Sequence, residues 1–205
     1  MTEGGRRGTI GPSAAAVDAP PPVVTPSECE AVIEAPQNPA GPFEPEESPG
    51  PRRREELIGV VEVAPAALRA AVAGLSGAQL DTRYRDWTVR KIVHHLADRH
   101  VNSYVRCKWA LTEETPTIKP YDEGRWAALE DSRAGDVEAP LALLEALHAR
   151  WVQLLRSMTE VQFARSFLHP ETGQTVSLGA ALGYYAWHGR HHTAQIVWLR
   201  GRHGW

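Results

Sequence analysis

Apolar residues recur at spacings of three and four along most of the chain from Arg54 onward, the spacing of helices that bury one face. The first such stretch, Leu57, Val60, Val61, Ala64, Leu68, Val72 and Leu75, predicts a helix of about six turns. Pro65 falls inside it, and a kink is expected there because proline lacks an amide hydrogen and crowds the preceding turn. Gly74-Leu75-Ser76-Gly77 then interrupts the pattern, and Thr88 stands as an N-cap for a second helix carrying Val89, Ile92, Val93, Leu96, Val101, Tyr104, Val105 and Leu111. Residues 112–136 hold Pro116, Pro120, Gly124, Gly135 and a lone Trp126, and read as a long ordered crossover with at most one short helix. A connection of that length inside a compact domain is usually functional. Pro140 suits the first turn of a third helix with Leu141, Leu144, Leu147, Trp151, Leu154 and Leu155, ending near Met158. A turn at Pro170-Glu171-Thr172-Gly173 suggests a small hairpin, after which Ser177 caps a fourth helix running to about Arg200, with Gly201 as its stop.

Four long helices without a convincing run of alternating strands predict an all-α four-helix bundle over residues 41–205, a fold that often holds its site between facing helices. Residues 1–40 differ in kind. Eleven of the 16 prolines lie in residues 1–51, where two basic residues face eight acidic ones, a local charge of −6. Such a stretch buries too little apolar surface to offset the entropy of ordering it, so an acidic, proline-rich, disordered tail is expected.

The remaining 154 residues carry 20 basic and 17 acidic side chains, and no basic run longer than Arg52-Arg53-Arg54. That balance argues against nucleic acid as a partner. Thr172 to Gly189 is uncharged, but its glycines, Gln174 and His188 argue against a membrane span. The small-residue run Ser13 to Val17 lacks the apolar core of an export signal. Two cysteines, Cys29 and Cys107, offer no disulfide framework, and a cytoplasmic protein is expected.

Nine histidines change the picture, because they cluster. His94, His95 and His100 fall on the second helix, His148 on the third, and His188, His191 and His192 on the fourth. His192 interrupts the core stripe Leu178, Leu182, Tyr185, Ile196, Leu199, and His188 precedes it by one helical turn. Residues at i and i+4 share a helix face, so both rings can converge on one ion. A third ligand must come from elsewhere, and the second helix offers His95 or its neighbour. Three neutral imidazoles with an open position describe a catalytic site more than a closed structural one. His94 and His191 point about 100° away from their neighbours and suit supporting roles. Asp98 and Gln195, each three residues after a proposed ligand, could accept the hydrogen of its second ring nitrogen. His148 either faces the site or makes an interhelical hydrogen bond, and Cys107 reads as a buried structural thiol.

Several strings are ordered as in a known family. They are Trp87-Thr88-Val89-Arg90, His94-His95-Leu96-Ala97-Asp98, the segment from Ala110 to Tyr121, Leu147-His148-Ala149-Arg150-Trp151, and the segment from Tyr185 to Ile196. Over residues 40–200 the chain closely resembles the YfiT group of the DinB-like superfamily. Its linker before Trp87 looks shorter than the family's usual version, and its first 38 residues have no counterpart there. The resemblance implies a four-helix bundle with zinc or nickel held by His95, His188 and His192, in a group first described as metal-dependent hydrolases and later associated with bacillithiol S-transfer.

Three functions are therefore in play. In the first, the ion holds a low-molecular-weight thiol as thiolate, which attacks an electrophile. Lys119 or Arg125 of the crossover would then neutralise carboxylates of the thiol cosubstrate, and Trp126 could wall the pocket. In the second, metal-bound water makes the protein a hydrolase. No glutamate adjoins the three histidines in sequence, which tips the choice towards thiol transfer. The third is a non-enzymatic bundle with a structural ion. Exposed aromatics would permit a homodimer.

Overall fold

The computed structural model describes Met1 and residues 34–205. The expected disorder of the tail falls on residues that lie, but for its last few, outside the described ones. The bundle belongs to a unit spanning Ala35–Trp205, six residues earlier than the boundary expected at 41. Those residues are held by hydrogen bonds: the Tyr84 hydroxyl donates to the Pro36 carbonyl, and the Arg85 guanidinium donates to the Ala35 carbonyl at 3.1 Å.

Four long helices form the body: α1 (Pro51–Val72), α3 (Val89–Thr112), α6 (Glu138–Ser157) and α8 (Leu178–His203). Short helices α2 (Gly77–Leu80), α4 (Glu123–Trp126), α5 (Glu130–Ala134) and α7 (Glu160–Phe163) lie in the connections. The starts follow the capping signals in the sequence. Thr88 Oγ1 accepts from the Lys91 amide, and Ser177 Oγ accepts from the Ala180 amide.

Two expectations are corrected at the helix ends and in the crossover. The last helix does not stop at Gly201 but continues to His203, because the left-handed residue that ends it is Gly204, at φ +69°. The crossover holds two short helices rather than at most one, with Asp122 and Leu129 as their N-caps. It is sewn to the body through the Ile118 amide, which donates to Leu168 O at 3.0 Å, and the Leu168 amide, which donates to Pro116 O at 2.9 Å.

The hairpin expected around residues 170–173 is present, with β3 (Ser166–His169) antiparallel to β4 (Gln174–Ser177). A second ribbon pairs β1 (Arg83–Tyr84) with β2 (Trp87–Thr88). Its two-residue strands are too short to leave an alternating pattern.

α1 packs on α6 and α8, and α3 packs on the same two helices. The four therefore form a square with α1 and α3 on one diagonal. The interior is two apolar clusters. One gathers Leu57, Val61, Trp151, Leu155 and Leu182, and the other Leu68, Ile92, Val93, Leu144 and Ile196. Between them, on three of the helices, lies a layer of buried histidines: His95 and His100 on α3, His148 on α6, and His188 on α8.

Candidate metal centre

The ribbon and α3 bring His95 into the layer. Thr88 starts α3, and Trp87 sets its edge against the His95 ring, with centroids 4.7 Å apart. From α8, His188 and His192 lie one turn apart, their rings edge to face with centroids 4.5 Å apart. Donor atoms of His95, His188 and His192 all lie within 4.8 Å of one another. His95 and His188 are each 4% exposed, and their Nε2 atoms are 3.3 Å apart. Two ligands of a tetrahedral zinc ion, each about 2.0–2.1 Å from it, sit about 3.3 Å from each other. The donor set fits a divalent ion of that kind.

Electrostatics keep the rings in the form an ion requires. Burial pushes the His95 and His188 imidazoles well below the ordinary histidine range, and the neighbouring rings and Arg99 push in the same direction. His192 falls to about 4, mainly through burial, with a hydrogen bond to Gln195 opposing the fall. Above pH 6.5 these rings are neutral. The His192 Nδ1–H donates to Gln195 Oε1 at 2.8 Å, which leaves Nε2 as the lone-pair atom. The other end of Gln195 donates through Nε2 to His191 Nε2 at 3.0 Å, and His191 stacks on Trp187. Gln195 thus has the supporting place expected of it, and His191 holds Gln195 rather than joining the trio. Asp98 does not reach His95. It is half-buried, and desolvation with the nearby Asp131 raises it to about 6.

The structure also supplies a carboxylate that the sequence spacing does not announce. Glu123, at the start of α4 in the crossover, places Oε2 3.9 Å from His95 Nε2, while its other oxygen accepts a hydrogen bond from Arg99. The expectation that no glutamate stands beside the trio is therefore corrected. The only sequence signal was the length of the crossover, since residues 95 and 123 meet only through tertiary packing.

A cavity of about 330 Å³ opens onto the trio, lined among others by Arg85, Trp87, Glu123, Tyr184 and Trp187. A larger groove of about 720 Å³ runs between α1 and α6, but none of the trio lines it. Lys119 and Arg125 are exposed and absent from the cavity lining, and Arg125 pairs with Asp122. Trp126 lies against Tyr121, 4.5 Å between ring centroids, and does not line the cavity either. The cations nearest the trio are Arg85 on the cavity wall and Arg99 behind Glu123.

Comparison with known proteins gives the family and the fold. The family model described as the DinB superfamily matches residues 61–196. The chain is 51% identical over 169 residues to "Putative metal-dependent hydrolase YfiT" of Bacillus subtilis, covering 82% of this chain and 95% of that one. A relative of the same description from Geobacillus thermodenitrificans is 50% identical over 153 residues, covering 74% and 86%. The solved structure of YfiT from Bacillus subtilis, described as "a probable metal-dependent hydrolase with an unusual four-helix bundle topology", superposes with a TM-score of 0.80 at 50% identity, covering 82% of this chain and 97% of that chain. The mycothiol-dependent maleylpyruvate isomerase superposes with a TM-score of 0.57 at 20% identity, covering 70% of this chain and 60% of that one, a likeness of fold. Among the described residues no helix is long and apolar enough to cross a membrane.

Proposed function

The chain belongs to the DinB superfamily, and from that premise we propose that it is a metal-dependent enzyme whose His95, His188 and His192 hold a divalent ion, zinc or nickel, for transfer of a low-molecular-weight thiol to an electrophile. The observation that carries the reading is the convergence of three neutral imidazoles, two buried and one part-buried, at a cavity rather than in a closed core. Such an ion, when bound, lowers the pKa of a thiol or water placed on it.

The chain's own residues supply the rest. Glu123 Oε2 is on the trio's flank and accepts the proton that the nucleophile gives up, while the bond from Arg99 to the other oxygen fixes the carboxylate's direction. Trp87 and Trp187 wall the cavity and thin out the water around a developing anion. Arg85 offers a positive charge on the wall, the part first looked for in Lys119 and Arg125.

Hydrolysis is the second reading, and Glu123 is what favours it. A metal-bound water needs a base beside it, and the crossover provides one. Mixing the metal-loaded protein with a bacillithiol-type thiol and monochlorobimane, and separately with ester and amide panels, separates the two. Conjugation without hydrolysis supports thiol transfer. Hydrolysis without conjugation overturns it in favour of the second reading, and neither reaction with any member returns the ion to a structural role.

A further inference from the structure

Two rings of the histidine layer lie outside the trio and are more deeply buried than any member of it. His100 on α3 is 1% exposed and His148 on α6 is 2% exposed. Their protonation can be traced from a fixed end. Pro65 has no amide hydrogen, so the Val61 carbonyl, four residues earlier in α1, has no helical donor. His148 Nδ1 lies 2.7 Å from that oxygen. A carbonyl can only accept, so His148 carries its proton on Nδ1, and in a neutral ring its Nε2 is then a bare acceptor. His100 Nδ1 stands 2.7 Å from that acceptor and must be the donor. It follows that His100 Nε2 is a lone pair, and it is buried without a partner.

The next ring in the layer is His188. Its centroid is 5.7 Å from that of His100, against 4.9 Å for the bonded pair His100 and His148. His188 Nδ1 is also buried without a partner. On the metal reading above, on which this step rests, a ring that gives Nε2 to an ion carries its hydrogen on Nδ1 and needs an acceptor for it. An unpartnered acceptor thus stands on the ring next to one that carries an unpartnered donor. The Trp151 indole, whose ring also lies against His100, interacts with the Cys107 thiol.

We propose that His100 and His148 are positioning residues: a relay that starts at the carbonyl freed by Pro65, fixes the tautomer of each ring in turn, and accepts the Nδ1–H of His188 so that its Nε2 faces the ion. Each of the four long helices contributes to it. α1 gives the carbonyl, α6 and α3 the two rings, and α8 the ligand.

The test uses the full chain, with zinc as probe. Long-range proton–nitrogen correlation spectra of the labelled wild type at pH 7.5, metal-free and zinc-loaded, read the tautomers directly. Nδ1–H at His100 and His148 in both states, and at His188 with zinc, is the expected result, and Nε2–H at either relay ring overturns the proposal. Chelator competition then compares His100→Phe, which keeps the shape but neither bonding role, with His100→Gln, which can donate and accept. Zinc affinity should fall about 10–100-fold in the first and stay within about threefold of wild type in the second. Unchanged affinity in His100→Phe, or equal losses in both variants, assigns His100 to packing alone. If His100→Phe does not fold, the wild-type tautomers decide. If wild type binds no zinc, the metal reading fails separately, while the tautomers of the metal-free protein still report on the relay.

Discussion

Acid should destabilise the metal-free protein through its buried imidazoles, and His192 allows the effect to be put in numbers. Its native value of about 4 lies below the ordinary 6.5, so between those limits the unfolded chain binds a proton that the native chain refuses. Stability from this group is fully present above pH 6.5 and is lost as the pH falls towards 4. At pH 5 the loss amounts to about 2 kcal/mol, out of about 3.4 kcal/mol for the whole shift. His95, His100, His188 and His148 are all lowered by burial and act in the same direction. Asp98, raised to about 6, acts in the opposite one, because its native carboxyl takes up a proton first. A double difference removes the contributions of groups that do not feel His192, and His95 and His188, which its charge lowers, can only add to the gain of a variant that lacks it. Urea denaturation of wild type and His192→Gln, both in chelator, should show the variant gaining about 2 kcal/mol relative to wild type between pH 7.5 and pH 5. A stability difference that stays constant across that range within about 0.5 kcal/mol would refute the assignment of His192 as a neutral, desolvated ring.

Other outcomes follow from the same structure. His95→Ala, His188→Ala and His192→Ala should each lose stoichiometric metal by elemental analysis, whereas His191→Ala, which removes only an anchor of Gln195, should keep it. Glu123→Gln should retain the ion yet lower kcat/KM by about 10²-fold or more. Gly201→Ala, inside α8 with open space around the new methyl, should raise stability by about 0.5–1 kcal/mol, while Gly204→Ala, at positive φ, should lower it by about 1 kcal/mol, both read by thermal melts. Cys107 is buried, which pushes its thiol up to about 11, so it should resist a disulfide reagent in the native protein and react on unfolding.

What the sequence disclosed of this fold was local. Thr88 and Ser177 announce the starts of α3 and α8 because a cap acts on amides two or three residues away. The spacing of His188 and His192 is likewise a property of one helix. Which second-helix ring meets them was left between His95 and its neighbour by spacing alone, and followed from the family resemblance. Gly201 misled because a glycine near the end of a periodic stretch looks the same whether the helix passes through it or stops. The left-handed turn that decides the matter lies at Gly204, three residues on. Glu123 and the partner of Pro65 were illegible for a different reason. The first reaches His95 across 28 residues of chain, and the second, His148, reaches the Val61 carbonyl across 87. No periodicity encodes such meetings. The crossover's unusual length hinted at a role for 112–136, but the chemistry it delivers is a carboxylate rather than the cations looked for there.

The central claim is that three ring nitrogens surround one ion and leave part of its coordination open. X-ray absorption fine structure of the zinc-loaded protein tests it most directly. The account predicts three imidazole nitrogens at about 2.0–2.1 Å with one or more oxygen scatterers completing the shell. A sulfur scatterer, two or fewer imidazoles, or a shell closed by four protein ligands would contradict it.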